Sequence, residues 1–185
     1  GPNPDTAIAP AILDHDGVTV GYVSVTTTAG SQYDRDWAAD ETTTTYTVDR
    51  DGETLTVPDR AGVADATPET IRAGVKAAAA RADVVVTQIH GGEEYQQTPT
   101  PELQNLTDTA IAAGSDLVVN HHPHVSGGLE MRDGALVAWS MGNLFFDQNL
   151  WETYRSFVLQ VTVTADGVQS ARAEPILIEG YAPRG

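Results

Sequence analysis

Val84-Val85-Val86-Thr87-Gln88-Ile89-His90 and Leu117-Val118-Val119-Asn120-His121-His122-Pro123-His124 decide how this chain is read. Each opens on a short apolar run of β-branched and aliphatic residues, the pattern of a strand buried on both faces. Each ends in histidine. In an open α/β sheet, ligand sites form just beyond the carboxyl ends of parallel strands. Two strand ends that carry four of the five histidines therefore point to a metal site. Pro123 stiffens the loop between His122 and His124. The remaining histidine, His15, sits in Asp14-His15-Asp16-Gly17, where turn composition alone explains it. The chain has no cysteine, so a thiolate zinc site and a disulfide framework are both excluded.

Helix signals flank the first run. Thr67-Pro68-Glu69 reads as a cap, a Pro in the first turn and an acid near the positive helix end. Ile71, Val75 and Ala78 then fall on one face, and the helix is expected to reach about Arg81. A strand over 83–89 follows, then an acidic loop, Gly91-Gly92-Glu93-Glu94-Tyr95. A second Pro-started helix runs from Pro101 to about Ala113 and stops at Gly114. A strand over 116–119 delivers the histidine cluster. The β-α-β-α-β order calls for a parallel sheet.

Upstream, Ala11–Leu13 and Val18–Val25 flank Asp16-Gly17 as a hairpin whose second strand is apolar enough to be central. Residues 28–41, with Tyr33 and Trp37 among acids, read as a loop. Thr43–Val57, with its turn at Arg50-Asp51-Gly52, reads as a peripheral hairpin, so 28–62 is expected to be a variable insertion. Downstream the pattern becomes antiparallel. One hairpin turns at Asp133-Gly134, Met141-Gly142-Asn143 is a tight turn, and a last hairpin turns at Ala165-Asp166-Gly167. Residues 1–185 read as a single domain.

The 185 residues carry 26 acidic and 10 basic side chains, a net charge of −16, and Lys76 is the single lysine. Such a surface disfavours nucleic acid and anionic membranes as partners. It matches a protein from a salt-loaded cell, where ionic strength screens self-repulsion, or, more plainly, an acidic secreted protein. No stretch approaches the length of a transmembrane helix.

The ordered set Asp83–Tyr95, Gln104, Ala113–Val118, His121–Val125 and Ser140–Asp147 resembles the CapA family of poly-γ-glutamate capsule biosynthesis, in the calcineurin-like metallophosphoesterase superfamily. Residues 83–148 carry the resemblance, and 1–25 resembles the family more loosely. It implies part of a four-layer α/β sandwich around a dinuclear centre of Mn, Zn, Fe or Ni. His90 and His122 would bind one ion and His124 the other. Glu94, Tyr95, His121 and Asn143 match family positions that contact substrate or support the ligands. The family's Gly-Asp and Asn-Asn-His motifs, with the metal-bridging carboxylate, have no counterpart here. The chain therefore resembles the C-terminal half of the domain, beginning near its middle, and its acidic composition resembles that of a halophilic archaeal protein. The resemblance further implies a phosphorylated small molecule or polymer intermediate as ligand, a membrane polymer-synthesis complex as partner, and a place at the cell envelope. Two other readings remain: a non-catalytic component of an envelope polymer assembly, and a plain histidine-rich metal-binding domain.

The charge balance makes a direct prediction. Raising KCl from about 0.1 M to about 3 M shortens the screening length from roughly 10 Å to below 3 Å, so the melting temperature should rise. A melting temperature that stays level or falls would reject the salt-adapted reading.

Overall fold

A computed structural model describes residues 1–29, 37–39, 46–50, 53–57 and 61–184. The loop expected over 28–41 lies largely outside them, Tyr33 included, as do turn residues 51–52. Of the expected hairpin, β3 (Tyr46–Arg50) and β4 (Glu53–Val57) pair antiparallel as a separate two-stranded sheet.

Six strands build the main sheet, largely as the apolar runs dictate. β1 (Ala11–His15) and β2 (Val18–Thr26) form the first hairpin. Asp16 and Gly17 both have positive φ, as a two-residue turn matching strand twist requires. β2 runs parallel to β5 (Val84–His90), and β5 parallel to β6 (Leu117–His121). After the histidine loop, β7 (Ser126–Arg132) turns at Asp133-Gly134 into β8 (Ala135–Met141). The six strands lie in the order β1-β2-β5-β6-β8-β7. β8 therefore sits between β6 and β7, parallel to the first and antiparallel to the second. The sequence signals the β7–β8 hairpin but not that β8 extends the parallel sheet.

Alternation along the strands supplies two faces, and each is covered. Val23, Val25, Val85, Ile89, Val118, Val137 and Trp139 meet α2 (Pro68–Ala79) and α3 (Pro101–Ala113) through Ile71, Val75, Ala78, Leu103, Leu106 and Ala110. Val86, Leu117, Val119, Leu136 and Ala138 face the other way, against Leu159, Val161 and Val168. These belong to a second, antiparallel sheet ordered β11-β10-β9, from β9 (Arg155–Thr164), β10 (Gly167–Glu179) and β11 (Ala182–Arg184). The result is a helix layer, a mostly parallel sheet and an antiparallel sheet.

The helix caps follow their sequence signals. Thr67 and Thr100 each accept a backbone N–H three residues on, and Gly114 closes α3 with φ 114°. Helix α2 ends at Ala79, two residues before the expected Arg81. A short α1 (Pro4–Ile8) precedes the first strand, with Asn3 and Thr6 forming a reciprocal cap. At the strand starts, the Asp116 carboxylate accepts the Val85 amide at 2.8 Å, and its backbone accepts Leu136 at 3.0 Å. Asp116 thus ties β5, β6 and β8 into register, which fixes what stands opposite what at their far ends.

Ile71 is fully buried between α2 and the sheet. Ile71→Ala should lower unfolding free energy in urea by about 2–5 kcal/mol through lost burial and a residual cavity. A loss under about 1 kcal/mol would contradict this packing.

Candidate metal centre

The register of β5 and β6 sets His90 directly opposite His121 at the carboxyl edge. Both belong to the alternation that faces the antiparallel sheet, in step with Val86, Leu117 and Val119. Asn120 points the other way and is fully buried beside Thr107 of α3. One residue further, the chain leaves the sheet. His122 has φ 102° and His124 has φ 62°, so two bulky residues flanking Pro123 occupy the left-handed region that side chains avoid. Such strain persists only where surrounding contacts over-determine it, and it clusters at functional sites. The contacts are present. Gly91 donates its amide to the His121 carbonyl at 3.0 Å, and Tyr95, itself at φ 64°, donates to the Pro123 carbonyl at 2.8 Å.

The Gly91-Gly92 pair makes this docking of two loops feasible. A Cβ at Gly91 would stand 2.6 Å from the Thr27 hydroxyl, and Gly92 has φ 104°. Gly142 plays the matching part after β8, where a Cβ would meet Ser156 Oγ at 2.7 Å. That turn delivers Asn143 to the site.

The loops bring the imidazoles together. Ring centroids of His90 and His122 are 4.9 Å apart, and those of His122 and His124 are 6.1 Å apart. Glu94 completes the group. One donor atom each from Glu94, His122 and His124 lie within 4.8 Å of one another. The sequence resemblance sets Glu94 beside the expected ligands; its carboxylate lies close to ring nitrogens of His122 and His124, and the His90 ring stands next to His122. Two imidazoles and one carboxylate with open positions suit a divalent transition metal. The described residues thus offer one such group of donors. His90, His121, His122, His124 and Asn143, together with the exposed Leu144, Phe145 and Phe146, line an open cavity of about 450 Å³. The Phe146 ring lies 4.8 Å from that of His124.

Burial pushes His90 below the ordinary histidine pKa, and His122, His121 and His124 push the same way. Burial also lowers His121. In His122 burial lowers the value, Glu94 raises it, and His124 lowers it. The net direction keeps these three rings neutral near pH 7, with lone pairs available to a cation.

Asn143 is mostly buried, and its Oδ1 lies 2.8 Å from His124 Nδ1. Its Nδ2 donates to Gln148 Oε1 at 3.0 Å, and Gln148 Nε2 donates to the Tyr95 hydroxyl at 3.0 Å. Tyr95, His121 and Asn143 therefore all lie at the cluster, while His15 is exposed at the β1–β2 turn, 3.6 Å from Asp16. Gln148 was not foreseen from the sequence. It lies in a polar, irregular stretch where no periodicity marks it.

Comparison with known proteins gives the family and the fold. The family model described as "Bacterial capsule synthesis protein PGA_cap" matches residues 1–148, and the chain belongs to that family. Among curated relatives, the PGA biosynthesis protein CapA of Bacillus subtilis (strain 168) is 34% identical over 122 residues, 66% of this chain and 32% of that protein. The capsule biosynthesis protein CapA of Bacillus anthracis is 33% identical over 103 residues, 56% of this chain and 25% of that protein. The chain thus spans about a third or less of the curated relatives it matches. Among solved structures, "Termus thermophilus Sulfate thiohydrolase SoxB in complex with glycerol" superposes with a TM-score of 0.53 at 15% identity, covering 95% of this chain and 26% of that one. At that identity the likeness concerns the fold alone.

Two predictions follow from the donor set. His122→Asn, which tolerates the left-handed backbone, and Glu94→Gln should each weaken Zn(II) or Mn(II) binding in calorimetry at least about tenfold, near 1.4 kcal/mol. Unchanged affinity in both would remove these residues from the site. In the metal-free protein, histidines with depressed pKa bind fewer protons folded than unfolded, so they favour folding above the ordinary value of 6.5. Stability should therefore fall as pH drops from about 6.5 toward their lower folded values, and His90→Ala should flatten that slope in urea titrations.

Proposed function

We propose that this chain contributes a metal-dependent, phosphoesterase-like site to the biosynthesis of a capsule or poly-γ-glutamate-type surface polymer. The observation that carries the reading is the convergence of Glu94, His122 and His124 at the edge of a metallophosphoesterase-like sheet, in a chain of the capsule-synthesis family. Glu94, His122 and His124 would hold a divalent cation. Mn, Zn, Fe or Ni suits the donors, and a second ion requires ligands beyond the described residues. When bound, such a cation supplies charge neutralisation at a phosphoryl group and a more acidic water. His90 and His121, neutral beside the cavity, can accept or donate a proton there. Leu144, Phe145 and Phe146 give the cavity an apolar part to its lining. The ligand is then a phosphorylated small molecule or polymer intermediate, and the −16 charge makes nucleic acid a poor competitor. Such work belongs at the cell envelope, beside a membrane polymer-synthesis complex. No described helix is long and apolar enough to cross a membrane.

One observation favours a second reading. The described residues offer a single carboxylate to the cluster, and two-metal displacement relies on a pair of ions held close together. A non-catalytic component that binds its ligand through one cation meets that inventory. A plain metal-binding domain accounts for the histidines but not for the family match.

The test is hydrolysis of an activated phosphomonoester and phosphodiester with Mn(II) or Zn(II). It compares the 185-residue chain with a polypeptide carrying it at the full length of its relatives, each with and without His122→Asn. The expected outcome is turnover by the longer polypeptide, abolished by His122→Asn, and none by the chain alone. Tight metal binding without turnover in the longer polypeptide would put the non-catalytic reading ahead.

A further inference from the structure

The segment after β8 carries no helix or strand from Gly142 to Leu150, and from Leu144 to Leu150 every side chain is exposed except Gln148. Gln148 is drawn inward by both ends of its amide. Its Oε1 accepts from Asn143 Nδ2 at 3.0 Å, and its Nε2 donates to the Tyr95 hydroxyl at 3.0 Å. Asn143 Oδ1 in turn lies 2.8 Å from His124 Nδ1.

A carboxamide has an acceptor on one side and donors on the other. While Gln148 Oε1 takes the Asn143 Nδ2 proton, Asn143 can present only Oδ1 to His124. His124 Nδ1 must then carry the hydrogen, and Nε2 keeps the lone pair. The opposite polarity would turn both amides, put the hydrogen on Nε2 and remove that nitrogen as a ligand. The hydrogen bond at one ring nitrogen thus fixes what the other can bind.

We propose that Gln148 is a positioning residue that, by fixing the Asn143 amide, holds His124 in the Nδ1–H tautomer and leaves Nε2 free for a cation. The proposal rests on reading Glu94, His122 and His124 as a cation site. Gln148 bonds to Asn143 and Tyr95 and is not one of the cation donors; it acts through Asn143.

Two variants separate this role from simple space filling. Gln148→Leu keeps bulk and removes both hydrogen bonds. Gln148→Glu keeps an acceptor toward Asn143 and has no donor, so it permits only the observed polarity. Ring ¹⁵N NMR of the metal-free chain, above the ordinary histidine pKa, reads the His124 tautomer, and calorimetry with Zn(II) reads affinity. The wild-type chain and Gln148→Glu should show the Nδ1–H form. Gln148→Leu should show a mixture and bind Zn(II) about 10- to 100-fold more weakly, the usual range for a lost partner of a ligating histidine. An unchanged tautomer in Gln148→Leu, or a switch to Nε2–H in Gln148→Glu, would overturn the proposal. Should Gln148→Leu not fold, Gln148→Glu alone decides: retained Nδ1–H upholds it and the switch sinks it. A wild-type chain that takes up no Zn(II) would defeat the cation site, while the metal-free tautomers still judge Gln148.

Discussion

Everything at the candidate site depends on the parallel register of β5 and β6, which sets His90 against His121. The register is imposed from the opposite end of the strands. Asp116 accepts the Val85 amide and, through its backbone, the Leu136 amide. Because side chains alternate, a slip of one residue would send His90 and His121 to the helix face and bring Asn120 into the cavity. The two apolar faces oppose such a slip, since each strand would have to exchange its core residues. Packing energy far from the histidines therefore determines where they point.

The loop His122-Pro123-His124 converts that placement into a cluster. Left-handed backbone at two histidines is costly, of order 1–3 kcal/mol each, and a loop free of function would shed it. Here the two loops are tied by Gly91 to His121 and Tyr95 to Pro123. Glu94 lies on one loop, and His122 and His124 lie on the other. Burial then keeps His90, His121 and His122 neutral, the state in which imidazole binds metal.

Much of this was legible in the sequence for local reasons. Thr67-Pro68, Thr100-Pro101 and Gly114 state the helix ends in their own chemistry. Asp16-Gly17 and Asp133-Gly134 state two hairpin turns, and the apolar runs before His90 and Asn120 state two buried strands. The histidine pair around Pro123 was visible as a site because no core or turn requirement explains it. What was hidden depends on contacts between distant segments. Nothing local says that β8 inserts between β6 and β7, because a hairpin has the same signature on either side of a sheet. Nothing local puts the Glu94 carboxylate nearer His122 and His124 than a supporting residue would be, or selects Gln148 from its polar neighbours. The short α1 was available in Asn3-Pro4-Asp5, a cap and a first-turn Pro, but five residues are too few to show periodicity.

The claim on which the account turns is that Glu94, His122 and His124 are joint ligands of one divalent cation. X-ray absorption fine structure on the protein loaded with one equivalent of Zn(II) tests it most directly. The account predicts a first shell of nitrogen and oxygen near 2.0–2.1 Å with the outer scattering of two imidazoles. A shell of oxygen alone, without imidazole scattering, would contradict it.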